Sequence, residues 1–295
     1  MERKHFIKTL ALMPLIPVAM KLNDLNKITD NLAAKPRMPV LFIGHGSPMN
    51  AIEDNEFSLR WQLLAKEIPQ PAAVLCISAH WLTRGTHITA MDFPETIHDF
   101  GGFPQALFDV KYPAPGNATL AQETKDLIKK TTVGLDHEWG LDHGTWSVIK
   151  QMYPNANIPV LQLSIDYYQT PQYHYDLAKE LSALRDKGVL IVGSGNMVHN
   201  LNMVDYSRIN DPKGFGYDWA LELNELFKKH ITECNHQALI KWESLHKSVK
   251  LAIPTPDHYL PLIYTLALQG NNETTSFFND KAMAGSLTMT SVKIG

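Results

Sequence analysis

Four consecutive apolar residues, Val40-Leu41-Phe42-Ile43, stand between Pro39 and Gly44-His45-Gly46-Ser47-Pro48. A short apolar run bounded by turn formers reads as a buried strand. A second run, Ala73-Val74-Leu75-Cys76-Ile77-Ser78-Ala79, leads into His80-Trp81. A third, GVLIVGSG at 188–195, runs into Asn196-Met197-Val198-His199. Open α/β sheets bind their ligands at the carboxyl ends of such strands, and glycine permits tight turns and close approaches there. His45 and His80, delivered by two strand ends of one sheet, therefore point to a shared metal site.

Between the strands the apolar spacing changes to a helical period. Helices are expected over 56–68, with Phe57, Leu59, Trp61, Leu63, Leu64 and Ile68 apolar, and over 117–131, capped by Asn117 with Leu120, Thr124, Leu127 and Ile128 inward. Further helices are expected over 171–185, 216–232, 236–244 and 258–270, and further strands over 158–165 and 286–294. Residues 84–115 read as one long connection carrying His98-Asp99-Phe100-Gly101-Gly102-Phe103-Pro104; long loops of this kind tend to be functional. Residues 138–146 read as a polar, glycine-interrupted segment. Strands alternating with helices give an α/β fold: a single domain over 36–295 with a central mixed β-sheet flanked by helices and a metal site at the carboxyl ends of the strands.

Residues 1–35 read as an N-terminal extension. Arg3, Lys4 and Lys8 precede an apolar stretch at 9–20 that resembles an export signal. Pro14 and Pro17 interrupt it, no small-x-small cleavage pattern follows before Lys21, and it is too short to span a membrane. A cytoplasmic location is expected, with export as the alternative. A net charge of −3 gives no electrostatic footprint for nucleic acid, so partners are expected to be small molecules or protein chains. Cys76 and Cys234 support neither a disulfide framework nor a cysteine zinc site.

The chain holds 13 histidines, and their placement carries the information. His45, His80 and His199 stand at or just past strand ends, and His258 follows Pro254-Thr255-Pro256-Asp257. Imidazole is the commonest side-chain metal ligand, although any one of these alone reads as an ordinary hydrogen-bonded histidine. Together the matching placement points to metal binding or catalysis, without any HExxH-type local motif. His143, in Asp142-His143-Gly144, suits a pocket-facing role or a capping role; His98 is a weaker candidate. Ser194 lies in no GxSxG elbow, and neither GxGxxG nor a P-loop occurs. Ser47 is read as orienting its turn.

In order along the chain stand GHGSPM (44–49), SAHW (78–81), IHDFGGFP (97–104), YPAPG (112–116), DHGTW (142–146), QLSID (162–166), GSGNMVHNL (193–201), PTPDHYLPL (254–262) and SLTMTSVKIG (286–295). This series, from about Met38 to Gly295, resembles the 4,5-DOPA extradiol dioxygenase-like branch of the class III ring-cleaving dioxygenases, of the protocatechuate 4,5-dioxygenase beta-subunit type. The resemblance implies an enzyme that cleaves a DOPA-like catechol beside its diol with O2 and one divalent metal. His45, His80 and His258 then fall on metal positions. His199 falls on an active-site histidine that is either acid/base or a further ligand, and His143 on one that faces substrate. Non-haem iron oxygenases usually present a carboxylate among their ligands, whereas this set is all imidazole, which also suits zinc. Fe(II) is thus expected for turnover and Zn(II) in the protein as isolated. Trp81, Phe100, Phe103 and Tyr259 are expected to line an aromatic slot, plain core packing being the alternative. A zinc hydrolase using Asp257 or Asp142 as base, and a non-enzymatic metal-binding protein, are the competing readings. No nucleic acid and no membrane span are expected, and a monomer or small homo-oligomer is.

Overall fold

The computed structural model describes residues 37–209 and 211–295; the expected extension and export segment lie outside these. Met38–Gly295 forms one unit. Its strands in chain order are β1 (Val40–Gly44), β2 (Ala73–Ser78), β3 (Leu82–Thr83), β4 (Thr86–Thr89), β5 (Val133–Asp136), β6 (Val160–Gln162), β7 (Ile165–Asp166), β8 (Val189–Gly195), β9 (Thr275–Phe278), β10 (Ala282–Met283), β11 (Leu287–Thr288) and β12 (Ser291–Ile294). The longer helices are α1 (Glu56–Glu67), α2 (Ala118–Leu127), α3 (His143–Met152), α4 (Pro171–Lys179), α5 (Asp218–Thr232) and α6 (Leu260–Ala267).

Six strands make the central sheet in the order β6-β2-β8-β1-β12-β9. β6, β2, β8 and β1 run parallel, and β12 pairs antiparallel with both β1 and β9. The sheet is therefore mixed, as expected. Period-two alternation splits the apolar strands between two cores. Val40, Phe42, Leu75, Ile77 and Ile191 pack with Leu177 of α4 and Leu262 and Leu266 of α6. Leu41, Ile43, Val74, Cys76, Leu190 and Val192 pack on the other face with Phe57, Trp61 and Leu64 of α1 and Trp146 of α3.

β8 lies between β1 and β2, and its register levels their ends: Gly44 stands opposite Gly195, and Ser78 opposite Ser194. Three chain exits thus open side by side. Gly193 and Gly195 serve the layer behind them. A Cβ at 193 would meet the Pro261 carbonyl oxygen at 2.4 Å, and one at 195 the His258 carbonyl oxygen at 2.1 Å. Only glycine lets the start of α6 approach the strand this closely. The Asn196 amide then donates to the His258 oxygen at 2.9 Å.

Several expected elements differ. Leu59 and Leu63 of α1 face outward, because Phe57, Trp61 and Leu64 already fill its inner face. The long connection contains β4, which pairs in parallel with β5; Thr86-His87-Ile88-Thr89 is too polar to signal a buried strand. Residues 143–152 form α3, capped by Asp142, whose side chain accepts from the Thr145 amide. Gly144 hides that helix from a propensity reading, yet glycine is needed, since a Cβ there would lie 2.5 Å from Ser78 Oγ. The expected strand over 158–165 divides into β6 and β7, and the helix over 171–185 stops at Lys179 before a separate turn, Ser182–Asp186. No helix among the described residues is long and apolar enough to cross a membrane.

Candidate metal centre

Histidines from five places meet above the level strand ends. His45 follows β1 directly, its amide donating to Gly195 O at 3.1 Å and extending the ladder by one residue. His80 stands two residues past β2, its amide on Ser78 Oγ at 3.3 Å. His143 is the first residue of α3. His258 comes two residues before α6. His199 follows β8, its amide bonded to Ala252 O at 2.8 Å.

One ring nitrogen each from His45, His80 and His143 lies within 4.8 Å of the others, a spacing that suits one metal ion. The His258 ring is 5.3 Å from that of His45 and 5.1 Å from that of His80. His45 and His258 are almost wholly buried, and the His80 side chain keeps 19% of its exposure.

In three of these rings, those of His45, His143 and His258, Nδ1 is hydrogen-bonded. His45 Nδ1 lies 2.9 Å from Ser194 Oγ, and that hydroxyl gives its only proton to Gly144 O at 2.5 Å. His45 must therefore donate from Nδ1, which leaves Nε2 bare. His258 Nδ1 is bonded to the Asp257 carboxylate. His143 Nδ1 reaches Asp99 Oδ1 at 3.0 Å, and His80 Nδ1 lies 3.4 Å from Asp99 Oδ2. Imidazoles held at one nitrogen by a carboxylate, hydroxyl or carbonyl present the other to a metal.

The Nε2 atoms of His45 and His80 then face each other at 3.2 Å. His45 offers only a lone pair there, so His80 Nε2 donates to it in the metal-free protein, and a cation taking the place of that proton would be held by both nitrogens. Ligands about 2.0–2.1 Å from a tetrahedral metal are themselves about 3.3 Å apart. The residues fit the group.

Electrostatics point the same way. Burial first, and neighbouring imidazoles second, hold His45 and His80 well below the usual histidine range, so both are neutral. Burial would raise the Asp99 carboxyl, but its bonds with His143 and the His80 ring beyond hold it low. At Asp257 the His258 bond likewise overcomes burial, and the carboxyl stays ionised. Asp142 is the opposite case: burial and the charge of Asp99 raise it against the bonds from Ser78 and Gln162.

His199 stands apart from the four. Its ring stacks on His258, centroids 3.6 Å apart and planes at 5°. Lone pairs lie in the ring plane, so a metal in the plane of one of these parallel rings lies out of the plane of the other. Its side chain takes no hydrogen bond among the described residues, and burial followed by His258 pushes its pKa down to about 3.

Of the residues expected to line a slot, Phe100 meets His143 edge to face at 5.5 Å and Phe103 at 5.4 Å. Trp81 is buried and stacked on Trp139 at 5.7 Å. Tyr259 does not join them. It packs on Phe227 and Trp242 and donates its hydroxyl to Leu239 O at 3.0 Å, since residues adjacent at a helix start point about 100° apart. Asp99 and Ser194 escape sequence reasoning. The only signal for Asp99 is a carboxylate inside a glycine-rich loop beside a histidine.

Residues 39–290 match the family described as the catalytic LigB subunit of aromatic ring-opening dioxygenase. The chain belongs to that family. It is 46% identical to the 4,5-DOPA dioxygenase extradiol of Escherichia coli K12 over 272 residues, covering 91% of this chain and 98% of that one. The Beta vulgaris protein of the same name is 35% identical over 85% of this chain and 94% of its own length. A crystal structure of an uncharacterized Escherichia coli K12 protein superposes with a TM-score of 0.76 at 41% identity, covering 88% of this chain and all of that one. This protein is thus an oxygenase of the ring-opening dioxygenase family, on the mixed α/β fold read above, with a histidine cluster that suits one metal.

Proposed function

We propose that the protein opens the ring of a DOPA-like catechol beside its diol, with one divalent metal held by His45, His80 and a third imidazole, His258 or His143. The observation that carries this reading is the gathering of one ring nitrogen each from His45, His80 and His143 within 4.8 Å, with the His258 ring beside them. Fe(II) is the working metal of the proposal; Zn(II), which outcompetes Fe(II) at most sites, is the one expected after purification. When bound, the metal supplies a template that brings O2 and the catechol together.

The chain does the remaining work. Phe100 and Phe103 offer aromatic edges against which a flat ring can be oriented. His199, whose side chain makes no hydrogen bond among the described residues, is the group assigned to take a phenolic proton and return it later. His143 takes the substrate side of the cluster when His258 holds the metal. The hydrolase reading loses its base: Asp257 is committed to His258, and Asp142 accepts from Ser78, Thr145 and Gln162 in a fully buried position.

The test is anaerobic loading with Fe(II), then a panel of L-DOPA, protocatechuate and simple catechols with O2. A yellow ring-opened semialdehyde with matching O2 uptake is expected, and its absence across the panel overturns the proposal. His199→Ala is expected to keep metal and lose turnover; loss of metal would make His199 a ligand.

A further inference from the structure

Asp99 lies in the connection between β4 and α2, on neither a strand nor a helix, yet both its oxygens are used. Oδ1 accepts from the backbone amide of His143 at 2.9 Å and from its Nδ1 at 3.0 Å. Oδ2 lies 3.4 Å from His80 Nδ1. The two rings come from separate elements, the end of β2 and the start of α3, and their centroids are 3.9 Å apart. The side chain keeps 19% of its exposure, and the next residue, Phe100, forms the aromatic edge beside His143.

An ionised carboxylate accepts and never donates. A ring that bonds to it through Nδ1 must carry its proton there, so Nε2 is left with a lone pair. We propose that Asp99 is a positioning residue that fixes the His143 ring with its proton on Nδ1 and its Nε2 lone pair free, while its second oxygen faces His80. The same carboxylate satisfies the amide at the first position of α3, which the helix leaves without a partner, and places negative charge at the positive end of that helix. The backbone and the ring of His143 are thereby held from one point. Because Phe100 follows directly, the loop that offers an edge to substrate also sets the nitrogen chemistry of the cluster.

Asp99→Ala removes the acceptor from the His143 ring, whereas the near-isosteric Asp99→Asn keeps an oxygen able to accept from both the ring and the amide. In long-range 1H–15N spectra the His143 ring is expected to lose its fixed Nδ1–H form in Asp99→Ala and to keep it in Asp99→Asn. A packing role leaves the tautomer alone, so a His143 ring that stays Nδ1–H in Asp99→Ala overturns the proposal. Where His143 holds the metal, Zn(II) affinity, read by chelator competition, falls about 10–100-fold with the tautomer.

A second measurement needs no variant at position 99. Long-range 1H–15N spectra of the metal-free wild-type protein, with ring signals assigned through single histidine variants, are expected to show Nδ1–H at His143. An Nε2–H tautomer there overturns the proposal, even if both Asp99 variants fail to fold. The metal consequence rests on the metal reading above, whereas the tautomers do not. If wild-type protein binds no Zn(II) or Fe(II), that reading fails and the ring spectra still decide the role of Asp99.

Discussion

Replacing Gly195 by Ala perturbs the centre without touching a ligand. The added Cβ would lie 2.1 Å from His258 O, 3.0 Å from His258 C and 3.3 Å from Pro261 Cγ. Relief to an ordinary contact needs roughly 1 Å of movement, since non-bonded heavy atoms rest about 3.5 Å apart. Neither partner is a flexible side-chain end: one is the backbone of β8, the other the backbone that carries a candidate ligand. Overpacking of this kind costs typically about 1–3 kcal/mol, and a clash of backbone with backbone belongs at the upper end. For a domain of this size about 3 kcal/mol lowers Tm by roughly 6–12 °C. Displacing His258 by about 1 Å also costs on the order of 100-fold in turnover. Calorimetry of the metal-free protein reads the first effect, and turnover of the Fe(II)-loaded protein beside a Zn(II) chelator competition reads the second. Gly101→Ala is the control, because its Cβ would meet nothing within 4 Å. If Gly195→Ala matches Gly101→Ala in both Tm and metal affinity, the close approach of α6 to β8 is not what seats His258.

Other outcomes follow from the same packing. Arg185 is fully buried, donates to Met38 O and Leu268 O, and forks onto Glu273; Glu273→Gln is expected to cost roughly 3 kcal/mol in urea unfolding, whereas Glu67→Gln, at the exposed Arg60 pair, is expected to cost under about 1 kcal/mol. Tyr259→Phe removes a buried hydroxyl bonded to Leu239 O and is expected to cost about 1–2 kcal/mol of stability with KM for substrate unchanged; a raised KM would put Tyr259 at the substrate. His174, buried beside Tyr264, has its pKa lowered to about 4, chiefly by burial. Above pH 6.5 the folded and unfolded states both hold it neutral, but between pH 6.5 and 4 the unfolded chain takes up a proton that the folded one refuses. Stability should therefore fall with pH across that window, by up to about 1.4 kcal/mol per unit from this group, and His174→Gln should flatten the slope by that amount in denaturant titrations at stepped pH.

The parts of this protein that could be read from sequence are those whose duty is local. Val40-Leu41-Phe42-Ile43 is apolar because both faces of its strand are covered, and His45 is found because a strand end is a fixed address. His80 and His199 follow from the same rule. β4 could not be read, since its pairing with β5 lets Thr86, His87 and Thr89 make a strand without an apolar run. Nor could α3: burial outweighs the poor propensity of Gly144, and that glycine is required by Ser78 and His80, which come from a different element. Tyr259 shows the limit within one dipeptide. Its neighbour His258 turns toward the cluster, while its own ring enters the helical core.

Ligands and the groups that hold them differ in how strongly sequence constrains them. A ligand must be an imidazole at a place the sheet makes rigid, so residue type and position together betray it. The partner of its second nitrogen need only accept a hydrogen bond, and here three unlike sources serve: a hydroxyl on a neighbouring strand, a carboxylate in a loop and a carboxylate one residue away. Ser194 is 149 positions from His45 and Asp99 is 44 from His143, so no local pattern joins them. What joins them is the level register of β1, β8 and β2, which brings Ser194 beside His45 and under Gly144. In a centre of this kind the tautomers are thus set by the sheet register and one loop, and substitutions at Ser194 or Asp99 should change metal affinity as strongly as many substitutions nearer the substrate.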